Sequence, residues 1–155
     1  MITLQFSTQD KPGSWLIQKF TWSRFSHVDF VLPDGRLLGA RGQGGVQIRD
    51  PELFPTLARF DIDAPDIVLD HAKSQIGKPY DWGAILGLVA RRQWQDKNAW
   101  FCSELVAWSF QAAGFPILRS RHLYRITPRD LLLSPYLKKH SNGSGWVDKI
   151  LQGTA

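Results

Sequence analysis

A single cysteine in 155 residues means that no internal disulfide can staple this chain. Stability must come from a packed core, and 43% hydrophobic with 21% charged residues is the balance of an ordinary globular fold. No apolar run approaches the ~20 residues needed to span a bilayer. The opening residues Met1-Ile2-Thr3-Leu4-Gln5-Phe6-Ser7 lack the basic stretch and apolar segment of a secretory leader. Those absences lead to an expected cytosolic location, with which a lone thiol agrees. Internal repeats and low-complexity tracts are also missing. The net charge of +5 is scattered, and Arg91-Arg92 and Lys138-Lys139-His140 are its only local clusters. Charge spread in this way reads as a solvated face, so no nucleic-acid partner is expected, while contact with a membrane surface stays open.

What is present fits one α+β domain over residues 1–140, with a tail at 141–155 whose Ser141-Asn142-Gly143-Ser144-Gly145 start reads as a mobile loop. Seven tryptophans should line the core or a groove. Ser14 to Trp22 fits a short helix capped by Ser14. His27 to Leu32 reads as a strand, Pro33-Asp34-Gly35 as a turn, and Arg36 to Arg41 as the returning strand of a hairpin. Gly42-Gln43-Gly44-Gly45 marks a bulge or close backbone approach before Val46-Gln47-Ile48 resumes the alternation, and Arg59 to Ile62 fits a further strand. A helix capped by Asp63 should run to Ile76 and stop at Gly77. Ala84 to Ala90 fits a short buried helix, followed by a loop from Arg91 to Asn98. Thr127 and Pro128 are the cap and first residue of a last helix through Leu133. The sum is a small antiparallel sheet packed with helices.

Cys102 begins a helical pattern, with Leu105, Val106, Ser109-Phe110 and Ala113 on one face and Gly114 placed to end it. In a first helical turn, unpaired N–H groups and the helix dipole favour a thiolate. The residue is then either a small core hydrophobe or a nucleophile. A nucleophile needs a base, and histidine suits neutral pH. His71 belongs to an amphipathic helix, and His122 and His140 lie in polar stretches. His27 alone begins an apolar strand, where its ring could be held rigidly. Spacing alone does not choose between that role and an ordinary hydrogen-bonded histidine. A metal held by His27, Asp29 and another carboxylate matches no defensible ligand spacing, and no cofactor is expected.

Three segments resemble the circularly permuted papain-like amidases and peptidases, relatives of the NlpC-type cell-wall hydrolases. They are Ser14 through Ser26-His27-Val28, then Gly77-Lys78-Pro79-Tyr80-Asp81, then Phe101-Cys102-Ser103-Glu104-Leu105-Val106, with a weaker echo at Thr127 to Leu131. The resemblance implies a permuted papain-like fold with the nucleophile at a helix N-terminus. It further implies Cys102 attacking a carbonyl, His27 as general base and then acid, and a thioester intermediate. Tyr80 would add an oxyanion contact, unless it is a turn residue packed on Trp82. Relatives carry a polar orienting residue on the next strand, and here the hairpin places Gly39 there. Gln43, Arg41 and Asp29 are the candidates to substitute. Gln43 is favoured because it adds no charge, whereas Asp29, two residues along His27's own strand, reaches it awkwardly. The expected activity is a thiol hydrolase or acyltransferase acting on a peptide, cell-wall or lipid-like amide or ester. The alternative is an inactive binding or assembly module, as in a phage or secretion structure.

Overall fold

The computed structural model describes residues 1–8, 25–51, 56–81, 83, 99–119, 123 and 126–140. The expected helices at 14–22 and 84–90, the loop at 91–98, Trp82, His122 and the tail at 141–155 lie outside the described residues.

Six described strands form one antiparallel sheet: β1 (Ile2–Ser7), β2 (His27–Val31), β3 (Leu37–Arg41), β4 (Gly45–Arg49), β5 (Thr56–Ile62) and β6 (Lys138–Lys139), in the order β4-β3-β2-β1-β5-β6. Three helices are described: α1 (Ile67–Lys73), α2 (Cys102–Ala112) and α3 (Pro128–Leu131). The α+β reading with a small antiparallel sheet therefore holds. β1, central in the sheet, was not foreseen. It pairs Leu4 with Phe30 and Phe6 with Val28 on one side, and Leu4 with Phe60 on the other.

Alternation along the strands divides the sheet into two faces. Ile2, Leu4, Phe6, Val28, Phe30, Leu38, Ala40 and Val46 form the core face. The long helix α2 packs on it through Leu105, Val106 and Phe110, and Phe110 stacks 6.0 Å from Phe30. The opposite face carries Gln5, Ser7, His27, Asp29 and Arg41, all buried in spite of their polarity. Thr3 donates to Asp61 on this face, and Arg59 forks onto Gln5 Oε1 at 2.9 and 2.7 Å.

Several boundaries differ from expectation. α1 begins after Asp66, which makes no side-chain cap bond, and Asp63 lies outside the helix; the first helical turn closes by bonds from Val68 N–H to the Pro65 carbonyl at 3.2 Å and from Leu69 N–H to the Asp66 carbonyl at 2.9 Å. α3 is capped as foreseen: Asp130 N–H donates to Thr127 Oγ1, and Thr127 N–H to the Asp130 carboxylate. It ends at Leu131 rather than Leu133. Among the described residues no helix is long and apolar enough to cross a membrane.

Candidate active site

His27 opens β2 and points to the buried polar face. Its Nε2 lies 2.8 Å from Asp29 Oδ1, two residues along the same strand. Like-facing residues at this spacing sit side by side, and the short aspartate stem bends back onto the ring. Arg41 Nη2 donates to Asp29 Oδ2 at 2.9 Å, and Arg49 Nη2 to Oδ1 at 3.0 Å. Burial opposes the charge on Asp29, but His27, Arg41 and Arg49 together outweigh it and hold the carboxyl well below the usual range. For His27 burial is the largest influence and pushes the imidazole down; Asp29 offsets part of this, and both arginines add to it. Arg49 is itself pushed down to about 10, chiefly by burial.

Gly39 answers the question raised by the missing orienter. A Cβ built there would stand 2.0 Å from Asp29 Oδ1, so the absent side chain is the room that the carboxylate occupies. The β2–β3 register pairs Phe30 with Leu38 and Val31 with Leu37, which sets Gly39 beside Asp29 on the neighbouring strand. The carboxylate bonded to the His27 ring thus comes from His27's own strand and fills the space over the next one. Gln43 does not take that role: it lies exposed in the β3–β4 turn, where its carbonyl accepts from Gln47 Nε2 at 2.7 Å. Arg41 acts on the carboxylate rather than on the ring.

Cys102 is the first residue of α2 and is fully buried. Its sulfur accepts hydrogen bonds from the backbone N–H groups of Val28 and Ser103, which places the thiol against the peptide that follows His27. Helix-start donors lower the thiol pKa as foreseen, yet burial outweighs them, Asp29 adds to it, and the thiol is pushed up to about 12. The expected standing thiolate is therefore corrected: dipole and N–H donors do not compensate the loss of water around sulfur.

Tyr80 is brought to the same place by a chain of backbone contacts. Val46 N–H donates to the Lys78 carbonyl and Gly77 N–H to the Val46 carbonyl, both at 2.9 Å, so the 77–80 segment docks on β4. Gly45 permits the approach, since a Cβ there would meet the Lys78 oxygen at 2.1 Å. Tyr80 then bridges to Trp100 and lies 6.0 Å from the Phe101 ring. Burial, and next the neighbouring Cys102, raise its phenol well above the ordinary value, so it stays protonated and able to donate.

The described contacts join His27, Arg41 and Arg49 through Asp29, and set Tyr80 near Cys102; Gln43 stands apart, and Arg49 is a residue the sequence did not single out. No protein-family model and no curated protein sequence matches the chain. It is similar in fold to the crystal structure of the metalloprotein yiiX from Escherichia coli O157:H7, with a TM-score of 0.68 and 18% identity over 90% of this chain and 94% of that one. Membership of the permuted papain-like, NlpC-type amidases is corrected by these findings, because the three short motifs match no model of that family and the structural likeness leads to yiiX instead. Short motifs record local turn and cap chemistry, which unrelated chains share.

Proposed function

We propose that this chain is a cysteine-dependent hydrolase acting on an amide or ester, with Cys102 as nucleophile and His27 as general base. The observation that supports the reading is the hydrogen bond from the Val28 N–H to the Cys102 sulfur, Val28 being the residue after His27, whose Nε2 is committed to a buried carboxylate at 2.8 Å. With Nε2 engaged, Nδ1 is the nitrogen for proton transfer, and Asp29 fixes the ring and stabilises the imidazolium that forms. Burial favours the neutral forms of both thiol and imidazole at rest. The S–H proton therefore passes to His27 as sulfur attacks the carbonyl carbon, rather than beforehand. The imidazolium returns that proton to the leaving amine or alcohol, giving a thioester. Water, deprotonated by His27, then adds to the thioester; the acid leaves and the thiol is restored. The α2 N-terminus and the Tyr80 hydroxyl supply donors for the oxyanion.

The similar yiiX structure is titled a metalloprotein. Here the residues do not fit a cation beside the pair, because Asp29 already serves His27 and two guanidiniums, and no three His, Cys, Asp or Glu converge among the described residues. The competing reading, an inactive binding or assembly module, draws on the complete burial of Cys102.

Two measurements separate them. Mixing with p-nitrophenyl acetate should add one acetyl mass to wild-type protein and none to Cys102→Ala. Iodoacetamide should label Cys102 faster as pH rises from about 7 to 10, and more slowly in His27→Ala at each pH. No acyl adduct, with labelling indifferent to His27, would sink the hydrolase reading.

A further inference from the structure

Two buried arginines converge on one carboxylate. Asp29 is wholly buried and takes three bonds: His27 Nε2 at 2.8 Å and Arg49 Nη2 at 3.0 Å on Oδ1, and Arg41 Nη2 at 2.9 Å on Oδ2. The side chains of Arg41 and Arg49 are only 8% and 10% exposed. One guanidinium would balance the charge of Asp29, and taking a second out of water is costly. The second therefore needs a reason beyond neutralisation.

Register supplies one. The β3–β4 ladder pairs Arg41 with Gly45 at one end and Leu37 with Arg49 at the other, with Gly39 and Gln47 midway. Alternation keeps Gly39, Arg41 and Arg49 on one face of these strands, so the arginines approach the slot over Gly39 from its two ends. That slot is where the Asp29 carboxylate stands. A carboxylate turns readily about its Cβ–Cγ bond, whose torsion is broad and two-fold. With an arginine from each end on a different oxygen, such a turn breaks both contacts, and Oδ1 stays on the ring.

We infer that Arg41 and Arg49 are positioning residues for the base: by anchoring the two Asp29 oxygens from opposite ends, they hold Oδ1 on His27 Nε2 and leave Nδ1 for proton transfer. The proton transfer rests on the hydrolase reading; the hold on the ring does not. Charge gives the same arrangement a second effect. The ionisable groups around the ring, among the described residues, are Asp29 on its own strand, Arg41 on β3, Arg49 on β4 and Cys102 at the start of α2. Burial is the largest influence against the imidazolium, Asp29 favours it, and both guanidiniums oppose it. Removing one guanidinium should therefore let His27 take up a proton at higher pH and loosen its tautomer at the same time.

Arg49→Met removes both charge and donor, whereas Arg49→Lys keeps the charge. Asp29 retains Arg41 and His27 in either variant, so the carboxylate is not stranded, and Arg41→Met takes the place of Arg49→Met if that variant does not fold. Nitrogen-15 NMR titration of the His27 imidazole, assigned with His27→Ala, reads proton uptake and tautomer without any turnover. In the wild type the neutral ring should be the Nε2–H tautomer. In Arg49→Met the titration midpoint should rise by about one pH unit and the Nδ1–H tautomer should appear, while Arg49→Lys should titrate near the wild type. The acid limb of Cys102 acetylation by p-nitrophenyl acetate should move up with the ring in Arg49→Met, and its plateau should fall about tenfold. A structural loss alone would lower the plateau and leave limb and midpoint in place. If even the wild type is not acetylated, the hydrolase reading falls and the NMR titration alone decides the hold on the ring. A His27 midpoint and tautomer unchanged in Arg49→Met and Arg41→Met overturn the inference.

Discussion

A carboxylate enclosed by an imidazole and two guanidiniums is held by charge, but it is given its position by what is missing beside it. Gly39 supplies that vacancy, with the Asp29 oxygen standing where a Cβ would be. Gly39→Ala must therefore push the carboxylate off the His27 ring, because the obstacle is the main chain of β3 and cannot rotate away. Losing the orienter of a nucleophile's base costs orders of magnitude in known triads, and a displaced one should cost roughly 10- to 100-fold. The check is a double-mutant cycle on the Cys102 acylation rate. Gly39→Ala and Asp29→Asn should each slow it, and the double variant should add little to the worse single one. Independent, additive losses would show that Gly39 does not act through Asp29. In the sequence both residues were visible, and each was misjudged for one reason. Whether an i, i+2 aspartate can reach back to a histidine depends on space over the neighbouring strand, and that space follows from register, which one chain of letters does not fix.

Elements whose signals are local were the ones that could be read. The capping box at Thr127 and Asp130, the Pro33-Asp34-Gly35 turn and the helix from Cys102 to Gly114 all rest on residues within a few positions of one another. β1 was missed although Ile2, Leu4 and Phe6 alternate with Thr3, Gln5 and Ser7. Its polar half resembles a solvent face, and only pairing with β2 and β5 shows that half to be buried. α3 is short, yet it is tied to α2: Ser103 Oγ, one residue after Cys102, donates to the carbonyl of Ile126, just ahead of the Thr127 cap. Thr127→Ala removes one side of the capping box and should lower unfolding free energy by about 1 kcal/mol in urea titration. Thr127→Ser, which keeps the hydroxyl, should recover most of it. A loss equal in both variants would place the effect in the methyl group and its packing instead.

Across the whole molecule, the same burial that hides the site also links it to stability. The Cys102 thiol is raised from an ordinary 9.0 to about 12, first by loss of water and then by Asp29, against the N–H bonds from Val28 and Ser103. A raised thiol favours the protonated native state, so its contribution is complete below about pH 9 and is lost as pH climbs from there toward about 12. Over that interval the unfolded chain releases a proton that the folded chain retains. Unfolding free energy should therefore fall with a slope steeper by as much as about 1.4 kcal/mol per pH unit than in a protein without the thiol. Cys102→Ala is that protein. It keeps the helix start and every other titrating group, so subtracting its alkaline stability curve from that of the wild type isolates the thiol. Denaturant titrations from about pH 8 to 10.5 should give two curves that run parallel near pH 8 and converge or cross above pH 9, with the wild type falling faster. Curves parallel throughout would mean that the folded thiol ionises like an exposed one. Cys102 would then be a standing thiolate at alkaline pH, and proton transfer to His27 would precede attack rather than accompany it.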